Sequence, residues 1–599
     1  MRDRRKFALH TPAFLGLIIG AAVALGALSA WTPRFVTPAH AQTPSPAEVQ
    51  IAGVSSVAEN RADANFSDLA ASRSFATAPN YRAPFAIHHP LNGHSGEAAA
   101  DDGEVFAPDT GENRIARHPR RRVRSANFAA PGDTGSVTPP DTQGTVGPNH
   151  LMVTLNNNVT IESRTGTILK TVSITGFWSS LGNINQAFDP RALYDPYANR
   201  WIISAAANAA TASAYILIGV SATSDPTGGW YLYKIKVGAS GGSWADYPTL
   251  GFNGDWIVVQ ANVFTVSTTA FIASNIYAFN KADLYAGGAG QYTLFQDPTG
   301  YTDYPAVTHD NTLATEYLVR DWNGQTGTLR ISTITGSVGS ETLTIGVAFP
   351  KTAGGWQSAA PQTNFAPQLG SSSKIDTDDS RIGNCVYRNG SLWVAQTAFL
   401  PATGTANRSI AQWWQINTAS GSLSSLGIVQ QFGRIDSPSG QFDYAYPSLD
   451  VNAHDDMMIG YSRFGASQYA SANYSFRMHN DPPNTLGADT VFKAGDAPYF
   501  KDFGTGDNRW GDYSNVAVDP ANDIDLWTIQ EYAGTANNWG TWWGTISFDK
   551  SAATPTASAT ATPTKTPTPT PTKAPSPTRT PTATPTPTHH HHRHRHHPL

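Results

Sequence analysis

The chain has 599 residues, and its 45 acidic against 40 basic side chains leave a formal net charge of −5. That balance excludes the cationic footprint of a nucleic-acid-binding protein and supplies no acidic tail that works by charge. Charged residues make up only 14 % while glycine (52), proline (41) and aromatic residues (11 %) are plentiful, a composition for short strands and tight turns rather than amphipathic helices.

In chain order, Arg2, Arg4, Arg5 and Lys6 precede an apolar run from Ala13 to Trp31, and Ala39-His40-Ala41 offers a small-x-small cleavage site. Residues 1–41 therefore read as a signal peptide. Arg4-Arg5 with Lys6-Phe7-Ala8-Leu9 resembles a twin-arginine signal, and general secretory export fits equally. An uncleaved anchor is the alternative, because the apolar run is nearly long enough to span a bilayer. In each case the body is expected outside the cytoplasm, extracellular or at the cell surface. Residues 42–124 are rich in Ala, Ser, Pro and Asp, lack a sustained apolar period and contain the basic run Arg117–Arg124, which predicts a flexible leader.

Residues 125–550 carry a weak internal repeat. An Asp followed by Tyr, Thr or Pro opens a short apolar strand, and a turn and a more hydrophobic strand follow. The clearest copy is Asp246-Tyr247-Pro248-Thr249-Leu250-Gly251-Phe252, the turn Asn253-Gly254-Asp255, and Trp256–Asn262; Asn-Gly between apolar runs is a hairpin signal. The frame recurs at Asp303, Asp443 and Asp512, and more loosely at Asp141, Asp189 and Asp379. Seven starts at blade-like spacing predict an all-β fold, a single β-propeller of about seven four-stranded blades. One unit displays all four strands, at Arg191–Tyr194, Trp201–Ser204, Tyr215–Ile218 and Trp230–Tyr233, whereas the last offers three, so Ser125–Ala129 is expected to supply its fourth and close the ring.

Residues 551–588 alternate Thr and Pro, a stalk that cannot bury a core, and residues 589–599 form a His/Arg-rich tail with either metal-binding or envelope-binding character. Cys385 is the single cysteine; no intramolecular disulfide is possible, and its apolar surroundings in sequence predict a core position.

In a propeller the first strands begin at one mouth of the central channel and the second strands return to it. The Asp-led starts, joined by Asn262, Arg320, Asp321, Gln396, Arg463, Gln530, Glu531 and Tyr532 from second strands and by Arg191, Arg381 and Arg509, are therefore expected around that mouth. The structural alternative for each Asp is a turn cap. The segment Ser221-Ala222-Thr223-Ser224-Asp225-Pro226-Thr227-Gly228-Gly229-Trp230 resembles a degenerate Asp-box, and with the Asp-Tyr-Pro starts and Arg509–Ser514 the body from about 138 to 548 resembles secreted bacterial propellers of the broad sialidase-like group. Sialidases clamp a carboxylate with arginines and use a Tyr/Glu nucleophile pair with an Asp acid/base. The resemblance implies Asp246, Glu531 and Tyr532 as catalytic candidates, and Arg320, Arg381 and Arg463, with Asp303 and Asp512, as substrate-binding candidates.

Two functions remain open: a surface-associated propeller binding a polysaccharide, glycoprotein or envelope component at its channel mouth, and a sialidase-like glycoside hydrolase using carboxylates at the same face. Trp539, Trp542 and Trp543 are either a sugar platform or inter-blade packing. No motif demands a cofactor. Calcium is the one candidate, at Asp376–Asp379 or Asp519–Asp525, although neither follows a calcium-loop pattern. The expected partner is a glycan or envelope component; no nucleic acid and no membrane span of the mature body is expected, and the body reads as a monomer.

Overall fold

In the computed structural model the described residues are 48–72, 81–82, 123–238, 241–349, 354–418, 428–502, 506–535 and 537–548. The signal peptide, residues 117–122 of the basic run, the Thr/Pro stalk and the His/Arg tail lie outside them. The architecture is a β-propeller built from seven successive antiparallel meanders.

Local chemistry sets the strands. In the third meander, Ser243–Phe252 turns into Trp256–Thr265 through Asn253, whose side-chain oxygen accepts the amides of Asp255 and Trp256 at 2.9 Å each, an Asx turn that fixes the hairpin register. The second meander runs Ala187–Asp195, Arg200–Ala207, Tyr215–Ser221 and Gly229–Lys236, the four strands expected there. The Asp-box-like turn joins its third and fourth strands, with Asp225 accepting the Thr227 amide at 2.9 Å and Trp230 Nε1 donating to the Pro226 carbonyl at 2.9 Å. The last meander, Asn515–Val518, Leu526–Ala533 and Trp539–Phe548, is completed by Val123–Ala129, paired from Trp542↔Ala129 to Phe548↔Val123. Strands from both ends of the body thus share one sheet, which leaves no free seam in the ring.

The expected count of about seven separate four-stranded blades needs correction. Five sheets stand alone as blades, two of four strands, two of five and one of six, while the third and fifth meanders are continuous in one ten-stranded sheet. The two-residue strand Val307–Thr308 joins them, pairing in parallel with Phe252 on one side and with Val386 and Tyr387 on the other. The first strands approach closely enough here that a Cβ on Gly251 would lie 2.5 Å from the Ala306 carbonyl oxygen; only glycine fits.

A second correction concerns residues 48–72, expected in the flexible leader. Val49–Ala52 pairs with Ser340–Phe349, Val54–Val57 with Gln291–Asp297, and Asn60–Asn65 with Gly229–Lys236. The segment thus runs backwards round the ring and adds a fifth edge strand to three successive meanders, covering outer edges that would otherwise present unpaired amides and carbonyls.

The core lies between the sheets and is rich in tryptophan: Trp178, Trp201, Trp230, Trp244, Trp256, Trp356, Trp393, Trp413, Trp414, Trp510, Trp539 and Trp543 are fully buried. Trp539 and Trp543 are therefore packing residues, and Trp542, on the opposite face of the same strand, is half-buried and donates to Asn127 at 2.9 Å. Cys385 is buried among Tyr304, Val394 and Ile410.

Candidate functional site

Six of the first-strand starts share one backbone device. Asp141, Asp189, Tyr247, Thr302, Asp378 and Tyr446 have φ between 50 and 57°, the left-handed region that non-glycine residues seldom occupy. Each such turn aims an amide sideways, and side chains of neighbouring meanders accept several of them: Asn156 accepts from Asp189 (2.8 Å), Asp189 from Tyr247 (3.0 Å), Asn262 from Thr302 (2.8 Å) and Thr397 Oγ1 from Tyr446 (2.9 Å). Asp141 accepts the Asp512 amide at 2.9 Å and so ties the first meander to the last. The Asp-led starts are thus stitches between blades as well as charges at a mouth.

Carboxyl groups converge at this end of the channel, called the upper mouth below. Asp141 and Asp189 are hydrogen-bonded to each other; burial first, and then the neighbouring Asp189, push Asp141 up to about 8, while burial and then the charges of Asp246 and Asp512 push Asp189 up to about 7 against the pull of its bond with Asp141. Burial raises Asp246 to about 7, with Arg381 pulling down and Asp512 pushing up, and raises Asp512 to about 8 against the pull of Arg509. Arg381 grips Asp379 through Nε (2.8 Å) and Nη2 (2.7 Å), and Arg509 Nη2 donates to Asp512 at 2.6 Å. Asp246, Asp512 and Arg509 are only partly buried and form the solvent-reaching rim.

Under the rim the channel is plugged by alternating guanidinium groups and phenol rings. Arg381 lies 4.4 Å from the centre of the Tyr247 ring and 5.7 Å from that of Tyr301; Arg191 lies 3.3 Å from Tyr513, 4.9 Å from Tyr247 and 5.7 Å from Tyr304. Tyr247 and Tyr513 meet edge-on at 5.8 Å. Such stacking is favourable where the cation is desolvated.

Of the candidates read from the sequence, Asp246, Asp512 and Arg381 come together at this rim. Glu531 lies beneath it, buried, with one oxygen accepting the Gly511 amide at 2.9 Å and the other without a partner; burial pushes its carboxyl well above the usual range. Tyr532 points to the other side of the same strand, with Lys493 4.4 Å from its ring and Trp542 at 5.8 Å, so Glu531 and Tyr532 do not meet as a pair. Arg320 is engaged with Asp297 at 2.6 Å and Asp303 at 3.2 Å, and Arg463 with Asp489 at 2.6 Å; Asp303, Arg320 and Arg463 are thus held in ion pairs of their own rather than at the rim. The Asp141–Asp189 pair and the tyrosine plug were not foreseen. Their signal was present, because Tyr247 and Tyr513 directly follow the aspartates of the repeat.

The calcium candidates do not fit an oxygen cage. Asp519 is engaged with Arg164, the Trp527 indole and the Ala521 amide, and Asp523 accepts both terminal nitrogens of Arg388. Asp378 and Asp379 face Arg381. Among the described residues no group of three or more His, Cys, Asp or Glu side chains is arranged to hold a metal ion, and no helix is long and apolar enough to cross a membrane.

No protein-family model matches the chain, and no curated protein matches it in sequence. Solved structures with a similar chain course include a hypothetical selenium-binding protein from Sulfolobus tokodaii, at 9 % identity and a TM-score of 0.33 over 60 % of this chain and 81 % of that one. An α-L-arabinofuranosidase from Fusarium graminearum matches at 9 % identity and 0.32, over 61 % and 94 %. A mutant Trypanosoma rangeli sialidase displaying trans-sialidase activity matches at 13 % and 0.28, over 65 % and 57 %. At these values none of their chemistry transfers to this chain.

Proposed function

We propose that this chain is an exported, surface-displayed binding propeller that holds a glycan or glycan-bearing envelope component across its upper mouth. The observation that carries the reading is the rim itself: Asp246, Asp512 and Arg509 reach solvent, with Arg381 beside them, above a floor closed by Tyr247, Tyr301 and Tyr513. Carboxyl and guanidinium groups fixed side by side accept from and donate to vicinal hydroxyls, and a closed floor makes a polymer lie across the opening rather than thread it. Binding is favoured over turnover because Glu531 is buried beneath the rim and Tyr532 faces the other side of the strand, beside Lys493 and Trp542. Export rests on the sequence of residues 1–41.

Hydrolysis is the second reading, favoured by one observation. Asp246 reaches solvent while burial holds its carboxyl near 7, a proton donor suited to neutral pH. Screening the purified body on a glycan array beside a panel of chromogenic glycosides separates the two. Retention of a glycan that Arg381→Gln weakens at least tenfold, with no glycoside cleaved, supports binding. Glycoside release that Asp246→Asn abolishes supports hydrolysis. No retention and no release overturns both.

A further inference from the structure

The channel has a second end. Beyond the tyrosine plug, the later halves of the first strands enclose a cavity of about 250 Å3. Its walls include Leu193, Leu250, Val307, Val386 and Val516, and Tyr197, 43 % exposed, stands at its outer rim. It lies at the ends of the first strands, away from the carboxyl cluster at their starts.

Arg191 lines the inner end of this cavity and is 1 % exposed. Its Nε donates to the Pro248 carbonyl at 3.0 Å, whereas its two terminal nitrogens make no hydrogen bond of good geometry, the Tyr247 hydroxyl being the one polar side-chain group close to them. Among the described residues no carboxylate pairs with it; its neighbours are the rings of Tyr247, Tyr304 and Tyr513. Burial holds all three phenols above their ordinary range, so they stay neutral and supply no counter-charge. The carboxylates that line the cavity are already engaged. Asp450 takes His309 Nε2 at 2.8 Å and the amides of Val451 and Val518, and Asp523 takes Arg388. A guanidinium buried without a counter-ion is among the costliest arrangements in a folded chain, and an anion within reach removes that cost. Its two idle terminal nitrogens match the two oxygens of a carboxylate.

We propose that this lower cavity binds a small organic carboxylate, which pairs with Arg191 and lays its apolar body against the valine and leucine walls. The volume sets the size: a single ring or a short chain fits, a polymer does not. The site is separate from the upper mouth and shares with it only the plug between them.

The test uses the full chain and follows thermal unfolding with benzoate, succinate or glucuronate at constant ionic strength, with chloride and inorganic phosphate as comparators. At least one carboxylate is expected to raise the melting temperature saturably. Arg191→Met keeps the volume and removes the charge; it is expected to fold with a melting temperature at or above that of the ligand-free wild type and to lose the carboxylate shift. No saturable shift in the wild type, or an equal shift in Arg191→Met, overturns the proposal. Should Arg191→Met fail to fold, crystals of the wild type soaked in p-bromobenzoate decide it: bromine in the lower cavity with the carboxylate on Arg191 supports the site, and an empty cavity overturns it.

Discussion

The pairing of Asp141 with Asp189 has a measurable consequence for stability. Asp141 sits fully buried at about 8 against an ordinary 3.8, so the folded chain binds a proton that the unfolded chain has already released. Where the folded state holds more protons, stability falls as pH rises. The window is set by the two values: the stabilisation is complete near pH 4 and is lost as pH climbs to about 8. Because the two carboxyls share hydrogen bonding they release their protons in two coupled steps, of which the upper one sets the size of the effect. At about 1.4 kcal/mol per pH unit, the three units from pH 5 to 8 remove about 4 kcal/mol. Asp189→Asn tests this with little change of shape. The amide oxygen can still accept the Tyr247 N–H, and the amide nitrogen offers Asp141 a donor where a like charge stood. Urea unfolding at pH 5, 6, 7 and 8 should show the wild type losing stability with pH and the variant losing less, the remainder coming from Asp246 and Asp512, which burial also raises into this range. A wild-type profile that is flat or rising over this range, or an identical slope in Asp189→Asn, refutes the reasoning.

Other perturbations have equally definite outcomes. Glu531→Gln replaces a carboxyl whose neutral form burial favours and keeps the acceptor for the Gly511 amide; its melting temperature and its glycan retention should match the wild type, whereas loss of retention alone would place Glu531 in contact with the ligand. A methyl group on Gly147 would lie 2.4 Å from the Trp201 ring, itself held by a 2.9 Å bond from its indole to the Ser224 carbonyl, so Gly147→Ala should cost about 1–3 kcal/mol in urea unfolding. A chain begun at residue 73 bares the edge strands Gly229–Lys236, Gln291–Asp297 and Ser340–Phe349; it should melt lower and associate with rising concentration, read by light scattering, and an unchanged monomer would show that the added strands protect nothing.

Hairpin chemistry is local, and it was the part of the fold legible in the sequence. Asn253-Gly254-Asp255 announced its own turn, the four strands of the second unit stood out as apolar runs between turn residues, and the missing fourth strand at the C-terminal end pointed to Ser125–Ala129. The edge strands at 49–65 were hidden because they are held mainly through the backbone: Val49, Val54 and Val57 are exposed, so no apolar period marks them. The junction through Val307–Thr308 is two residues long, too short for any pattern. At the site, type and position pointed to the channel end where Asp246, Arg381 and Asp512 lie together, but ion pairing cannot be read from a single sequence, so Arg320 and Arg463 looked free when each has an acid beside it. The separation of Glu531 from Tyr532 was legible in principle, since neighbours on a strand face opposite sides.

The central claim is that the upper mouth holds a glycan without cleaving it. The most direct measurement is equilibrium binding of the best-retained array glycan to the wild type, Arg381→Gln and Asp246→Asn, followed by mass analysis of the glycan recovered after prolonged incubation. The account predicts saturable binding, at least tenfold weaker in both variants, and a glycan recovered intact. A shortened glycan from the wild type, or affinity unchanged in both variants, would contradict it.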